Sequence, residues 1–473
     1  MVKVESTWQR IGLSQPLGEA SGQDVGIIIL DDIVPHTCIS HLKGRVKRIE
    51  VDKEMTVTCQ DIFEEPFVEK VSRYSEHGLM VLSLLAHAPF KWRGNTHCGL
   101  APSANFVFLP TTKPKRIEAG LKWILKQSWD TKILLNLLIP QERGWMSPTE
   151  RDPYVQAIQP ALDAELLVIA AGGNSRVHNN LHPKKFFVAG GFNDKGERNF
   201  SDYELHPSAS SGLNGDGHWR PDILAPYTYL PVPSFKEKGI DYFAGTCGCS
   251  TLLAGFSAYL YSRMPDLTPN DLRSVITETG DSLNNFPAPI LNGDKVIQRL
   301  KEGFRNRHSP SYEPKVVVTD EKNSISSVNS LERALALTEL IKKKKLTRAR
   351  IWGYTQDESP IVKKVAIRGL GNPIDEMERE KYWRFLHKES SEFGVKEDWA
   401  YTLLPTAFKE ELHQWIGIGK YYSIDIQICI NMFLRKFYPD APKLEPSPDP
   451  DLKVVRSIIQ PVLDWYQTIQ QSQ

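Results

Sequence analysis

The sequence predicts an α/β protein with a doubly wound, mostly parallel sheet and helices on both faces, followed by an α-helical domain. Between Val25 and Phe192, short apolar runs alternate with segments of helical periodicity. The apolar runs are continuous instead of alternating with polar residues, as in strands that are buried on both faces of a parallel sheet. From Leu331 onward only helical patterns remain, which predicts the second domain.

Each predicted element of the sheet domain has a recognisable pattern. Alternation of strand-like and helix-like segments is typical of parallel sheets with crossover helices. The predicted strands are Val25–Leu30, Ala104–Pro110, Lys132–Pro140, Glu165–Gly173 and Lys184–Phe192. The predicted helices, with apolar residues three and four apart, are His77–Ala88, Pro114–Ser128 and Tyr154–Glu165.

Changes in composition divide the chain into a sheet domain at 1–305, a polar linker at 306–330 and a helical domain at 331–473. Within the helical domain, Ser359–Pro373 resembles one HEAT-type repeat. No second copy is apparent, so the sequence favours a single helix pair over a repeat array. In the last predicted helix, Pro461 is expected to kink or restart the helix because it lacks a backbone N–H.

Composition excludes several classes of protein. Lysine plus arginine number 58 and aspartate plus glutamate 57, so net charge gives no case for nucleic-acid or membrane-surface binding. No apolar run approaches the roughly 18 residues that span a bilayer, and the start lacks the apolar region of a secretion signal. Six cysteines without CxxC pairing predict neither a disulfide scaffold nor a metal site. We therefore expect a soluble cytoplasmic protein without metal or cofactor.

Chemistry-bearing side chains follow one another in a defined order along the sheet domain. Asp31 ends a predicted buried strand, His77 begins an apolar helix, and Asn174 follows another strand. Cys247 lies in GTCGCSTLLAG near the start of a predicted helix. There, backbone N–H groups can stabilise an oxyanion and the positive helix end lowers a thiol pKa. An acyl-transfer protease needs these parts: an acid, a base, an oxyanion donor and a nucleophile.

Each of these residues also has a simpler interpretation. Asp31 fits a helix cap or turn, and one histidine among twelve has no special weight. Asn174 in a Gly-Gly-Asn-Ser string fits a turn residue. Cys247 alone fits a small buried hydrophobic residue. The joint order therefore carries the functional hypothesis.

That order resembles the subtilisin family of peptidases, and the resemblance spans about residues 7–302. It implies a subtilisin-like fold and hydrolysis of peptide bonds in a polypeptide substrate. It also implies Asp31 as the orienting acid, His77 as the base, Asn174 as the oxyanion donor and Cys247 as the nucleophile in place of serine. Further matching segments are 7–32, Gly99–Ala104, Asn214–Tyr227, Leu267–Gly280 and Pro289–Leu300.

Three residues nearby in the sequence are alternative candidates for the acid and the nucleophile. Asp32 follows Asp31 directly, but the family's aspartate comes immediately after the strand, which favours Asp31. Ser250 and Cys249 lie close to the expected nucleophile, but an ungapped count from Gly245 places Cys247 at the serine position. Cys247 and Cys249 point in different directions from a helix start, so we expect both to be free thiols.

The expected substrate-binding edge departs from the family pattern. Leu138, Ile139 and Pro140 stand where the resemblance implies a Ser-x-Gly edge that pairs with the substrate backbone. Gly172 and Gly173 are expected to line the same site. Because Pro140 has no N–H and the two aliphatic residues are bulky, the alternative is an inactive pseudoprotease that serves as a peptide-binding or regulatory module.

The helical domain is expected to regulate access to the site or to recruit a regulatory protein. Its basic run Lys342–Lys345, with Arg348 and Arg350, fits either a solvated helix face or a docking patch for an acidic partner or nucleic acid. No aromatic residues are interleaved with the charges, so the solvated face is favoured.

Overall fold

The structure is a computed structural model, and it divides into two compact units. The first comprises residues 1–174, 178–205 and 209–314, and the second consists mainly of residues 315–473. The described residues are 4–64, 73–138, 153–174, 182–194, 203–206, 209–213, 218–235, 239–283, 286–304, 325–328, 330–388, 395–421, 424–444 and 452–471.

The first unit contains strands and helices in alternation. The strands are β1 (Gly26–Leu30), β2 (Val46–Val51), β3 (Val57–Asp61), β4 (Phe90–Trp92), β5 (Asn95–His97), β6 (Asn105–Phe108), β7 (Thr131–Asn136), β8 (Leu167–Ala171), β9 (Phe187–Asn193), β10 (Glu204–Leu205), β11 (Gly212–Leu213), β12 (Trp219–Arg220), β13 (Ile223–Pro226), β14 (Leu230–Pro233) and β15 (Ile240–Phe243). The helices are α1 (Thr7–Arg10), α2 (Arg73–Ala86), α3 (Pro114–Ile124), α4 (Pro153–Ala157), α5 (Gln159–Asp163), α6 (Thr246–Arg263), α7 (Pro269–Glu278) and α8 (Gly293–Lys301).

A mostly parallel sheet organises the first unit, which confirms the predicted fold class. Its strand order over the described residues is β10-β9-β8-β7-β1-β6-β2-β3, and β13 also pairs with β9. Only the pairs at the two ends of this order, β10 with β9 and β2 with β3, are antiparallel. Parallel neighbours on both sides of β1 explain its continuous apolar sequence, because both faces are covered.

Alternate residues of β1 contribute to two separate cores. Ile27 and Ile29 belong to the core that includes residues of α2 and α6. Ile28 and Leu30 belong to the core that includes residues of α3, α4 and α5. The side chains of a strand alternate between faces, so one short run stabilises both layers of helices.

One predicted helix is wrong in its extent. The segment Tyr154–Glu165 forms two short helices, α4 and α5, separated at Ile158. Pro160 lies in the first turn of α5. A proline has no N–H for a helical hydrogen bond and clashes with the preceding turn, so it is favoured in the first turn of a helix over the interior.

The second unit is helical over its described residues, with its own hydrophobic core. Helices α9, α11, α13 and α15 pack successively against one another, while α10, α12 and α14 each pack against the following member of that row. Two rows of paired helices are the arrangement of a short repeat array. The helices are α9 (Ser330–Lys342), α10 (Arg348–Tyr354), α11 (Pro360–Leu370), α12 (Glu376–Lys388), α13 (Val395–Leu403), α14 (Leu412–Gly417), α15 (Ile424–Phe437) and α16 (Leu452–Gln471).

A polar latch joins α10 to α12. Arg348 of α10 forms two short hydrogen bonds with the Glu378 carboxylate, at 2.7 and 2.6 Å. The Trp352 indole N–H donates to the same carboxylate at 2.7 Å, and the backbone N–H of Ile374 donates to it at 2.8 Å. Arg348 is thus a structural residue and not a free member of a basic patch.

The same latch recurs 31 residues later along the chain. Arg379 forms hydrogen bonds of 2.6 and 2.9 Å with the Glu411 carboxylate. The Trp383 indole and the backbone N–H of Phe408 each donate to that carboxylate at 2.9 Å. The repetition lies in the latch residues and not in the segment Ser359–Pro373, for which no second copy is apparent in the sequence.

Two further expectations concern helix ends and surfaces. Helix α16 runs continuously through Pro461, so the expected restart does not occur. Lys343, Lys344 and Lys345 are exposed just after α9 ends, as expected for a solvated helix end.

Among the residues that the structure describes, no helix combines the length and the apolar character needed to cross a membrane.

Candidate active site

The carboxyl end of the sheet brings together four residues that the sequence placed far apart. Asp31 follows β1 directly and its side chain is buried, with 8 % exposed. His77 lies in α2, and its Nδ1 forms a short hydrogen bond with Asp31 Oδ2. The other carboxylate oxygen of Asp31 accepts the backbone N–H of Asp32 at 2.8 Å. Both oxygens of Asp31 are thus engaged, which fixes the carboxylate against the ring.

The close approach of α2 to the chain after β1 requires a glycine. A Cβ on Gly78 would stand 1.9 Å from the Asp32 carbonyl oxygen, a distance that no side chain can occupy. The His-Gly pair of the sequence therefore has a steric cause. The glycine lets the helix lie against the strand end and brings His77 to Asp31.

Asp32, the alternative candidate for the orienting acid, contacts other side chains than His77. The Ser75 hydroxyl donates to Asp32 Oδ2 at 3.1 Å, and Arg48 Nη2 lies 3.4 Å from Asp32 Oδ1. The structure therefore places Asp31, and not Asp32, on the histidine ring. Ser75 lies two residues before His77, so Asp32 also connects the strand end to the turn that carries the ring.

Cys247 lies in the first turn of α6, two residues after the N-cap Gly245. Only 7 % of the residue is exposed. Asp31 and Cys247 both raise the pKa of the His77 ring. The ring is thus influenced by a carboxylate and by a cysteine at the positive end of a helix.

This environment raises the pKa of His77 to about 10. Burial, the largest single influence, lowers the pKa because it disfavours the charged ring. The hydrogen bond to Asp31 and the electrostatic influences of Asp31 and Cys247 together outweigh burial. The Phe243 ring packs edge-to-face against the imidazole, with 5.2 Å between centroids. At neutral pH the ring is therefore protonated.

The two alternative nucleophiles each interact with a backbone carbonyl at the start of the same helix. Ser250 is fully buried and its hydroxyl donates to the Thr246 carbonyl at 2.5 Å. Cys249 is also fully buried, and its sulfur lies 3.4 Å from the Gly245 carbonyl oxygen. Burial raises the pKa of Cys249 well above its ordinary value. Of the three candidates, Cys247 alone is among the groups that raise the pKa of His77. All six cysteines are free thiols.

Asn174 is exposed just beyond β8, and its amide has a defined orientation. Its Oδ1 accepts the backbone N–H of Thr246 at 2.7 Å, the Thr246 hydroxyl at 2.9 Å and the Tyr227 hydroxyl at 3.2 Å. A backbone N–H can only donate, so the oxygen end must face Thr246. The other end, Nδ2, is the donor that remains for a developing oxyanion.

Gly245 allows this approach between Asn174 and the start of α6. Its φ of +109° is in the range that favours glycine, and a Cβ there would come within 2.9 Å of Asn174 Nδ2. The Gly-Thr pair ahead of Cys247 therefore has two distinct tasks. The glycine gives space to the amide, and the threonine holds the amide oxygen.

The structure describes three of the five expected substrate-binding residues. The N–H of Gly172 donates to the Ala189 carbonyl and that of Gly173 to the Thr246 hydroxyl, both at 2.9 Å. Leu138 follows β7, is half-buried and packs against the core on the α3 side. Ile139 and Pro140 lie outside the described residues. The two glycine N–H groups are thus already engaged within the protein.

Some residues of the site were missed from the sequence. Tyr227 and Thr246 hold Asn174, and Phe243 packs on His77. The Gly-Thr pair was a visible signal for Thr246, but no sequence signal identified the other two. Within the described residues, no group of three or more His, Cys, Asp or Glu side chains is arranged to hold a metal ion.

Comparisons with known proteins show the family to which the chain belongs. The family model described as the subtilase family matches residues 22–303. The serine protease AprX of Bacillus subtilis (strain 168) is 24% identical over 232 residues, which cover 42% of this chain and 52% of that protein. The chain thus spans about half the length of this curated relative.

Solved structures of proteases show weaker similarity. A mutant of the protease domain of PatA is 17% identical with a TM-score of 0.46, covering 61% of this chain and 99% of that chain. Fervidolysin from Fervidobacterium pennivorans is 16% identical with a TM-score of 0.46, covering 62% of this chain and 45% of that chain. The family match extends over more than half of the chain. The chain therefore belongs to the subtilase family.

Proposed function

We propose that this protein is a cytoplasmic endopeptidase that hydrolyses peptide bonds through a covalent thioester on Cys247. His77 is the proton carrier, Asp31 orients it, and Asn174 donates to the oxyanion. One observation carries the proposal: the His77 ring is hydrogen-bonded to Asp31, and Cys247 at the start of α6 is near enough to raise the pKa of the same ring. The free state of all six cysteines supports a reducing compartment.

The raised pKa of His77 decides how the first step runs. A ring with a pKa of about 10 already holds a proton at neutral pH, so it acts first as an acid. Cys247 attacks the scissile carbonyl carbon as a thiolate, and the carbonyl oxygen becomes an oxyanion. Asn174 Nδ2 and the N–H groups at the start of α6 receive that charge.

Collapse of this intermediate expels the amine. The C–N bond breaks, His77 gives its proton to the leaving nitrogen, and the acyl group remains on sulfur as a thioester. His77 is then neutral and takes a proton from an entering water molecule. The water oxygen attacks the thioester, the C–S bond breaks, and the carboxylic acid leaves with Cys247 restored as a thiolate.

A peptide carrying a thiol-reactive electrophile tests the assignment. We expect mass spectrometry to locate the label on Cys247, and Cys247→Ala to abolish it. His77→Ala should slow labelling and peptide hydrolysis by about 10²- to 10⁴-fold, the usual contribution of a positioned acid or base. Ser250→Ala is the matched control, because its hydroxyl is bonded within its own helix.

The same experiment separates the alternative function. Labelling of Cys247 without turnover of any peptide would indicate a peptide-binding module and not a peptidase. The position of Leu138, where the family resemblance implies a small residue, is the observation that favours this alternative. Labelling that is unchanged in His77→Ala would instead contradict the proposed role of the histidine.

A further inference from the structure

We propose that Tyr227 is a positioning residue of the oxyanion site, and this inference rests on the proposed function. Its hydroxyl donates to Asn174 Oδ1 at 3.2 Å. Its backbone carbonyl accepts the Gly245 N–H at 2.9 Å. One residue therefore holds both the side-chain donor and the start of the helix that carries Cys247.

The backbone of Tyr227 is itself tied to the sheet. Its N–H donates to the Phe192 carbonyl at 3.0 Å, and Phe192 belongs to β9. The side chain is buried, with 5 % exposed. A Cβ on Gly191 would stand 2.3 Å from the Tyr227 ring, so this glycine makes room for the ring. The tyrosine thus has a fixed position from which its hydroxyl reaches Asn174.

The Tyr227 hydroxyl is one of several donors whose hydrogen bonds converge on Asn174 Oδ1. The Gly173 N–H donates to the Thr246 hydroxyl at 2.9 Å, and that hydroxyl donates to Asn174 Oδ1 at 2.9 Å. Thr246 N–H and the Tyr227 hydroxyl donate to the same oxygen. An amide whose oxygen accepts several hydrogen bonds is polarised, which strengthens its N–H as a donor. Tyr227 therefore both orients Asn174 and increases the strength of its Nδ2 donor.

The substitution Tyr227→Phe removes the hydroxyl and keeps the ring. We expect kcat for peptide hydrolysis to fall about 3- to 10-fold, the effect of one neutral hydrogen bond, with KM nearly unchanged. The loss should fall on kcat because the oxyanion forms only after the substrate is bound. Tyr203→Phe is the matched control, since Tyr203 is a buried tyrosine that packs on Phe192.

A double-mutant cycle with Asn174→Ala distinguishes positioning from general packing. In the Asn174→Ala background, Tyr227→Phe should have no further effect on kcat. An equal loss in both backgrounds, or no loss in the single variant while the wild type is active, would overturn the inference and leave the proposed function intact. A wild-type protein that turns over no peptide would instead overturn the proposed function.

A measurement that does not need activity completes the test. With ¹⁵N-labelled asparagine, the Nδ2 protons of Asn174 can be followed by NMR in the wild type and in Tyr227→Phe. We expect their resonance to move upfield and their exchange with water to accelerate when the hydroxyl is lost. Unchanged resonance and exchange in a folded variant would show that Tyr227 does not hold the amide.

Discussion

The Arg10 guanidinium and the Asp194 carboxylate form a bidentate ion pair from which solvent is excluded. The two hydrogen bonds measure 2.7 and 2.8 Å, and both side chains are 0 % exposed. Two further donors of Arg10 bind the carbonyls of Thr228 and Tyr229, each at 2.6 Å. Helix α1 is thereby joined to the residue after β9 and to the chain ahead of β14.

Removal of one partner should cost far more than this pair contributes to stability. Asp194→Ala leaves Arg10 buried and charged without its carboxylate counter-charge, and we expect a loss of about 3 to 5 kcal/mol in the free energy of unfolding. Glu118→Ala, which breaks the exposed Lys122–Glu118 pair, should cost less than about 1 kcal/mol. Urea titration compares the two. Equal losses would contradict the assigned burial of Arg10.

Local pattern was sufficient to predict the strands of the sheet but not the contacts between residues far apart in sequence. The run at β1 is apolar at every position, and the structure confirms a strand covered on both faces. The break at Ile158 also had a sequence signal, because Pro160 is disfavoured in the interior of a helix. The role of Arg348 was not predictable, since its partner Glu378 lies 30 residues away in another helix.

The candidate site shows the same limit. Asp31, His77, Asn174 and Cys247 follow a recognisable order, so their proximity could be expected before any coordinates. The contact between Tyr227 and Asn174 joins residues 53 apart in sequence and depends on how one ring packs over Gly191. The repeated latch was visible in principle, because RARIW and REKYW share Arg and Trp at the same spacing.

Loss of the Asp31 charge should shift the titration of His77. In Asp31→Asn the hydrogen bond weakens and the carboxylate charge disappears, so the pKa of His77 should fall from about 10. Because the ring supplies a proton to the leaving amine, the alkaline limit of kcat/KM should move to lower pH. An NMR titration of His77 alongside the pH–rate profile measures both. Asp32→Asn is the control, since Asp32 faces Ser75 and Arg48.

The pH dependence of folding stability follows from the upward shift of the His77 pKa in the wild-type protein. The folded pKa of about 10 lies above the ordinary 6.5, so the folded state binds the proton more tightly. The stabilisation is therefore complete below about pH 6.5 and is lost as the pH rises through about 10. Alkaline destabilisation of equal size in wild type and Asp31→Asn would contradict this origin of the shift.

The latch at Glu378 should stabilise the helical unit specifically. Glu378→Ala leaves Arg348 and the Trp352 indole without their carboxylate, and we expect about 2 to 4 kcal/mol of destabilisation from the lost charged hydrogen bonds. Glu376→Ala, an exposed change in the same helix, is the control. The two units have separate cores, so calorimetry should show only one transition moving. A shift of every transition would indicate that the units unfold together.

Regulation of the peptidase by its helical unit is the proposal that a truncation can decide. The unit has its own core and is built of paired helices, an architecture that presents extended binding surfaces. The first unit likewise has its own cores on both faces of the sheet. A chain that ends at residue 314 should therefore remain folded.

We expect this truncated protein to be soluble and to hydrolyse peptides with a higher kcat/KM than the full chain, because a restraint on access has been removed. The rate of Cys247 labelling by a small electrophilic peptide and by a long one should be compared in both forms. If access is restrained, the gain should be larger for the long probe, which needs more of the site to be open. If each probe labels Cys247 at the same rate in the truncated and the full-length protein, gating is contradicted and recruitment of a regulatory protein by the helices is favoured. An insoluble product would show that the helical unit stabilises the peptidase domain, because the cores assigned to that domain would then be insufficient on their own.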